Sequence, residues 1–292
     1  MLTQQGMDEG AWFILVVIAV LGVAAIFAWR HQQARSQALS QLAAELGFFF
    51  HPDGVPQTPG GDLLSGLLGL LSAGGEDARY RAFGVFNRGR DRRAYNTLQG
   101  ALMLPHADGT RRACDAVLGD FRYTTGSGKN QHTHHFSYLV VKLPYGPVPE
   151  TIVRPEGFFD QVAGFMGFDD IDFESAEFSD AFHVKGADKR FAYDLCDPRM
   201  MHFLLASRPC MFEIDRFHIC ISNGRSRFTP MEFKQQIAWA AAFLEQWPRH
   251  LTDRLSPRPQ LDEVHQASGQ AGARDRENLL PAAEPRNPWG HR

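Results

Sequence analysis

Cysteine is scarce in this chain of 292 residues: there are four, at 114, 196, 210 and 220, and no two form a CxxC pair. That argues against a disulfide scaffold and against a zinc ribbon, and free thiols suit a reducing compartment such as the cytosol. A charge excess is missing too. With 30 Lys and Arg against 33 Asp and Glu, the formal net charge is -3, so there is no bulk attraction to nucleic acid, and an anionic surface would have to be met by a local patch. Catalytic signatures are absent as well: the sequence holds no GxSxG, no HExxH and no dinucleotide-type GxGxxG. The cysteines also have no histidine at a spacing known from thiol enzymes. Thr125-Gly126-Ser127-Gly128-Lys129-Asn130 resembles a phosphate-binding loop only in part. Tyr123 stands where that motif needs glycine and Asn130 where it needs Ser or Thr, so a polar hairpin turn is the better account. Nothing calls for a cofactor, and catalysis has no visible carrier.

What the sequence does contain is one long apolar run. Ala11 to Trp29 carries no charge over 19 residues, and at about 1.5 Å per residue this matches the ~30 Å hydrocarbon core of a bilayer. Trp12 and Trp29 stand at its ends, where indoles favour the headgroup boundary, and Arg30, His31 and Arg35 follow. Residues 1–10 have no Lys or Arg but hold Asp8 and Glu9. The positive-inside bias therefore places the N-terminus outside and the bulk of the chain in the cytosol, at an inner membrane. A cleavable signal would have a basic start and a shorter core, so the segment reads as retained. Ala24 and Ala28 offer a small-xxx-small spacing, a weak hint of helix pairing. The next apolar stretch, Leu63 to Leu71, is too short to cross and reads as a short helix; a lid over the domain core leads, ahead of a patch lying on the membrane surface and a partner groove.

Beyond the span, Gln32 to Gly47 continues as a helical stalk, with Leu39, Leu42, Ala43 and Leu46 at helical spacing and Gly47 as its stop. Strands are expected over Asn96–Leu104, Cys114–Thr125 and His134–Leu143, the last two joined by the Gly126–Asn130 turn. Glu150–Arg154, bracketed by Pro149 and Pro155, reads as an edge strand. A short helix is expected over Gly157–Gly164, and strands over Asp170–Glu174 and Phe178–Val184. Asp188 caps a helix through Leu195, and Asp197-Pro198 opens another over Arg199–Ala206. Met211–Ile214 and Phe217–Ser222 form a hairpin about Asp215-Arg216. Thr229-Pro230-Met231-Glu232 is a capping box leading into a long helix whose apolar stripe is Phe233, Ile237, Ala240, Ala241, Leu244 and Trp247, ending near Pro248. From Asp253 the chain is rich in proline and charge and poor in apolar residues, so a disordered tail is expected. Asn278-Leu279-Leu280-Pro281 is a short apolar island within that tail.

Three clusters are candidates for sites. His132 and His134 project from one strand face, as metal-binding imidazoles do, while adjacent His135 points the other way. Phe136 and Tyr138 share the face of the first two, which favours a plain strand end. Asp170, Asp172 and Glu174 put three carboxylates on one side of an expected strand. Ile171 and Phe173 opposite them fit a strand with one wet face better than a cation site. Arg88-Gly89-Arg90-Asp91-Arg92-Arg93 is a basic run suited to a solvated loop or to anionic headgroups.

Phe83-Gly84-Val85-Phe86-Asn87-Arg88-Gly89, then Asn96 and Gly100, then Asp120-Phe121-Arg122-Tyr123-Thr124-Thr125-Gly126-Ser127-Gly128-Lys129, then Asp170-Ile171-Asp172-Phe173-Glu174 with Phe178-Ser179 together resemble a bacterial family of single-pass membrane proteins with a domain of unknown function. The resemblance spans about residues 35–250. It implies one N-terminal span and an α+β cytosolic domain, and it supplies no catalytic residues. The expected organisation is a short extracytoplasmic N-terminus (1–10), a transmembrane helix (11–29), a helical stalk (30–47), a cytosolic α+β domain built on an antiparallel sheet packed by helices (48–252) and a tail (253–292). The bilayer is met through residues 11–29, with Trp12, Trp29 and Arg30 at the interface, and a protein partner is expected at the domain or tail. A membrane-anchored binding or scaffolding module is the leading reading. A tethered metal-dependent enzyme using His132 and His134, and an anionic-lipid sensor, are the alternatives.

Overall fold

The computed structural model describes residues 5–54, 83–157 and 170–255. Its first element, α1 (Gln5–Leu46), is one unbroken helix of 42 residues, about 63 Å long at 1.5 Å per residue. The apolar run and the stalk are therefore a single rod, long and apolar enough to cross a membrane. From Trp12 to Ala34 every residue is exposed, the large apolar Phe13, Leu21, Phe27 and Trp29 among them. The character changes at Arg35, and Leu39, Leu42 and Ala43 are buried at the helical spacing read from the sequence. Gly47 ends the helix with φ +69. That left-handed turn lets the Phe48 N–H reach back to the Ala43 carbonyl at 2.8 Å, a capping geometry for which glycine is the least strained residue.

The rod packs on an eight-stranded sheet in which every neighbouring pair is antiparallel. Its strands are β1 (Phe49–His51), β2 (Arg90–Pro105), β3 (Arg111–Thr125), β4 (His132–Lys142), β5 (Val148–Pro155), β6 (Phe182–Gly186), β7 (Met211–Arg216) and β8 (His218–Ser222). Their order across the sheet is β1-β2-β3-β4-β8-β7-β5-β6. Helices α2 (Ala176–Ala181), α3 (Lys189–Leu195), α4 (Pro198–Ser207), α5 (Pro230–Gln246) and α6 (Arg249–Arg254) complete the described chain.

Strand alternation sorts the sheet into two faces. Ala116, Leu118, Leu139, Val141, Ile219 and Ile221 meet the helices in the main core, with Leu39 and Leu42 of α1 and Phe233 and Leu244 of α5. On the reverse face Val117, Phe121, Phe136 and Tyr138 form a second cluster under the turn Gly84–Phe86. Phe86 sits edge-on to Phe121 at 5.0 Å and to Tyr138 at 5.2 Å between ring centroids, the arrangement aromatic quadrupoles prefer. The expected α+β architecture is thus what the chain adopts, with an aromatic patch on the second face in addition.

Local signals hold in several places. Asp188 accepts from the N–H groups of Arg190 and Phe191, Asp197 accepts from Met200, and Thr229 with Glu232 completes a capping box. The Gly126–Asn130 turn has positive φ at Gly126 and Gly128, as a tight polar hairpin requires. Elsewhere the structure corrects the reading. Residues 170–184 are not two strands. Asp170 makes an isolated bridge to Lys185, then Ser175 accepts from Phe178 N–H and starts α2, and the strand begins only at Phe182. A cap at Ser175 outweighs the apolar–acidic alternation before it. β5 is not an edge, because it lies between β7 and β6. Its prolines are tolerated near the strand ends, Pro149 falling within the register shift between Val148 and Thr151 and Pro155 at the last residue. β2 begins at Arg90, not at Asn96, so most of the basic run is strand; the left-handed Asp91 (φ 52) sits in a bulge there. The long helix does end near Pro248, at Gln246, and the chain then continues into α6, burying Leu251. The Leu63–Leu71 segment, most of Gly157–Gly164 and the tail from residue 256 lie outside the described residues.

Candidate membrane-proximal site

Where α1 enters the core, one ion pair ties it to the sheet. The Arg35 guanidinium grips Asp120 of β3 with two parallel bonds, Nε to Oδ2 at 2.6 Å and Nη2 to Oδ1 at 2.5 Å. Nη2 also donates to Ser137 Oγ at 3.2 Å and to the Phe228 carbonyl at 3.0 Å. Asp120 is completely buried, and it accepts further bonds from Ser137 Oγ at 2.6 Å and Asn96 Nδ2 at 3.2 Å. The Phe228 N–H in turn donates to Ser137 Oγ at 2.9 Å. A buried carboxylate is tolerable only when charge and lone pairs are both answered, and here they are. The constellation draws on α1, β2, β3, β4 and the entry to α5, so it fixes the helix to three adjacent strands and to the start of α5 at one point.

The direction of α1 relative to the sheet follows from a second contact. Beyond the clamp the chain passes Leu39 and Leu42 to Phe48, whose ring covers Gly100, further along β2 toward the Pro105 turn. α5 runs the same way. It leaves Phe228 at the clamp, pairs Lys234 with Glu45 of α1, and ends where Trp247 stacks on Tyr145, 4.6 Å away, whose hydroxyl accepts from Ala107 N–H at that far turn. The opposite end of the sheet, with the β3–β4 turn, therefore lies on the side from which the apolar half of α1 arrives. From Asp120 to Thr125 the strand covers about 17 Å, and from Arg35 back to Trp29 the helix covers about 9 Å.

That end is rich in cations and histidines. His135 Nδ1 and the Tyr95 hydroxyl are 2.8 Å apart, and Arg227 hydrogen-bonds the same tyrosine. Burial pushes the Tyr95 hydroxyl up to about 12, with Asp120 adding to the shift. Burial lowers the His135 pKa, and Arg227 and Arg122 lower it further by repulsion. Arg90 and Arg93 are matched by Asp91 at 3.4 Å and Asp53 at 3.2 Å. Arg88 Nη1 donates to the Gly224 carbonyl at 3.1 Å.

His132 and His134 lie on one face of β4 with Phe136 and Tyr138, and His135 on the other, as the strand alternation requires. His134 stacks on Tyr123, 4.8 Å between centroids, and its Nε2 is 2.8 Å from Thr125 Oγ1. All three imidazoles are exposed. Among the described residues no group of three or more His, Cys, Asp or Glu side chains is arranged to hold a metal ion. The acidic run is dispersed: Asp170 pairs with Lys185 at 3.4 Å, while the Asp172 carbonyl accepts from the Tyr193 hydroxyl. Trp12, Trp29 and Arg30 are exposed on α1, at the two ends of its apolar run.

Two further groups escape sequence reading. Glu213 of β7 is buried on the aromatic face, where its carboxylate accepts from the N–H groups of Gly84 at 2.6 Å and Val85 at 3.1 Å. Burial raises its pKa to about 7, against those two bonds. The four cysteines are free thiols, three of them buried. Burial raises Cys114 and Cys210 to about 11 and Cys196 to about 12, and holds Cys220 well above the ordinary thiol range. Thiols so placed are poor nucleophiles at neutral pH.

No family model matches the chain, and no curated protein matches it. Among solved structures, the crystal structure of the mycobacterial trehalose monomycolate transport factor A, TtfA, is similar over 77% of this chain and 98% of its own, with a TM-score of 0.42 and 13% identity.

Proposed function

We propose that this chain is a single-pass inner-membrane protein in which residues 11–29 cross the bilayer, residues 1–10 lie outside and the α+β domain of residues 48–252 stands in the cytosol as a binding or scaffolding module. One observation carries this reading: the apolar helix continues without a break into the domain core and is clamped there by Arg35 and Asp120. A flexible linker would let the domain wander from the membrane, whereas a clamped rod holds it at one height. Such rigidity suits a module that presents a surface to a partner in or beside the bilayer. The orientation is supported by Arg30, His31 and Arg35 following the span, against no Lys or Arg before it.

The test is made on the full-length chain in bacterial cells. It should sediment with membranes and resist carbonate extraction, and protease added outside spheroplasts should leave the large domain intact. In-cell crosslinking should then trap a discrete partner that Arg35→Met weakens while the chain stays in the membrane. Release of the protein by carbonate, or digestion of the domain from outside, overturns the reading.

A further inference from the structure

We infer that the sheet end facing the span binds the phosphates of anionic phospholipid headgroups through Arg122 and Arg227, beside His135; the inference rests on the anchored reading above. Arg122 of β3 lies two residues past Asp120 on the helix side of the sheet, opposite His135 in the β3–β4 register. Arg227 immediately precedes Phe228, whose carbonyl receives Arg35. Both guanidiniums are close enough to His135 to oppose its protonation. The acid near them, Asp120, is already held by Arg35 in a bidentate pair. Among the described residues neither Arg122 nor Arg227 has a carboxylate partner, in contrast to Arg90 and Arg93 on the same end of the sheet.

Uncompensated guanidiniums on a rigid scaffold are suited to bidentate phosphate recognition. Position then selects the source of phosphate. The clamp fixes the helix against Asp120, and both the strands and the apolar half of α1 leave it in the same direction. With about 9 Å of helix between Arg35 and Trp29 and about 7 Å of strand between Asp120 and Arg122, the two arginines stand at the depth of the headgroup layer. A soluble anion would need no such placement. The exposed Lys129 at the tip of the turn adds charge of the same sign.

The experiment uses full-length protein in a neutral detergent, with native mass spectrometry counting bound phosphatidylglycerol or phosphatidylcholine during titration. Phosphatidylglycerol should bind at concentrations that leave phosphatidylcholine unbound. Arg122→Gln with Arg227→Gln should weaken it about 25-fold, roughly fivefold for each arginine. The thermal midpoint should be unchanged, and Arg111→Gln with Arg249→Gln, at the opposite end of the sheet, should have no effect. Equal binding of the two lipids, retention of the preference in the Arg122/Arg227 double variant, or displacement of the lipid by millimolar inorganic phosphate or an oligoglutamate peptide would each overturn the inference. Carbonate extraction run in parallel separates the two levels. A chain that stays integral but shows no headgroup preference refutes this inference alone, while a chain that is extracted refutes the anchor and the inference with it.

Discussion

Replacing Arg35 by methionine tests the junction on which the architecture turns. Methionine keeps helix propensity and most of the aliphatic stem, so the change removes chiefly the guanidinium and its four bonds to Asp120, Ser137 and Phe228. Asp120, fully buried, is then a charge without a counterion. Breaking one side of a buried pair costs about 3–5 kcal/mol. Ser137 and Asn96 still donate to Asp120 and hold the expected loss to the lower end, about 3 kcal/mol. Against a typical domain stability of about 5–15 kcal/mol, that is a large fraction.

The assay is urea unfolding of the full chain in detergent micelles, followed by tryptophan fluorescence. Trp239 and Trp247 report on the core, where Trp239 stacks on Phe243 and Trp247 on Tyr145. The midpoint should fall with the slope unchanged. Amide exchange between Gln37 and Leu46 should quicken, because the helix loses its tie to the sheet while Leu39 and Leu42 still hold it. Asp120→Asn in the same chain should recover about 2 kcal/mol by removing the orphaned charge, so the two losses should not add. A midpoint within about 0.5 kcal/mol of the parent, or additive losses, would refute the idea that this pair joins the long apolar helix to the domain.

Glu213 gives a pH dependence with a defined sign. Its folded pKa is raised to about 7 from 4.5, so its protonated form contributes stability that is complete below about pH 4.5 and is lost as pH rises through 7, by up to about 3 kcal/mol. Glu213→Gln should flatten that slope in urea midpoints taken from pH 4.5 to 8, while destabilising the chain because one of the Gly84 and Val85 N–H groups loses its acceptor. Gly100→Ala places a Cβ in the Phe48 ring and should cost about 1–3 kcal/mol by overpacking, seen as a lower urea midpoint. Inserting four alanines after His31 lifts the domain about 6 Å along the rod with the clamp intact; phosphatidylglycerol preference in nanodiscs should fall several-fold while the urea midpoint holds.

The elements that sequence discloses are those whose cause is local. Gly47 ends α1 because only a left-handed residue fits there, and Thr229 with Glu232 starts α5 because both capping partners lie within one turn. The clamp has no such local signature. Arg35 and Asp120 are 85 residues apart, and each is unremarkable among its neighbours in the helix or strand. One signal exists: Asp120 lies between Leu118 and Phe121 in a strand otherwise apolar there, and a carboxylate in such a run must find a partner. Glu213, between Phe212 and Ile214, carries the same signal. The acidic run misleads for the opposite reason, since its alternation imitates a strand until Ser175 turns the chain into helix. β5 is mistaken for an edge because prolines mark where a strand lacks bonding, which an edge and a bulge share.

Among the described residues two carboxylates are buried, one on each face of the sheet. Asp120, on the helix side, answers a guanidinium delivered by α1, so its charge is balanced and the bond joins distant segments rigidly. Glu213, on the aromatic side, accepts from two backbone N–H groups of the Gly84–Phe86 turn with Arg88 and Arg154 nearby, and burial nevertheless raises its proton affinity. Both N–H bonds favour the ionised carboxylate, so it is burial of that charge, and not the contact itself, that costs stability as pH climbs toward and past 7. Loosening the Gly84–Phe86 turn would uncover Phe86 and the rings beneath it, Phe121 and Tyr138, without disturbing the helix side. The helix side is thus held by a buried charge paired with a guanidinium, and the aromatic side by a buried carboxylate whose ionisation is opposed by desolvation, so only the second ties stability to pH near 7.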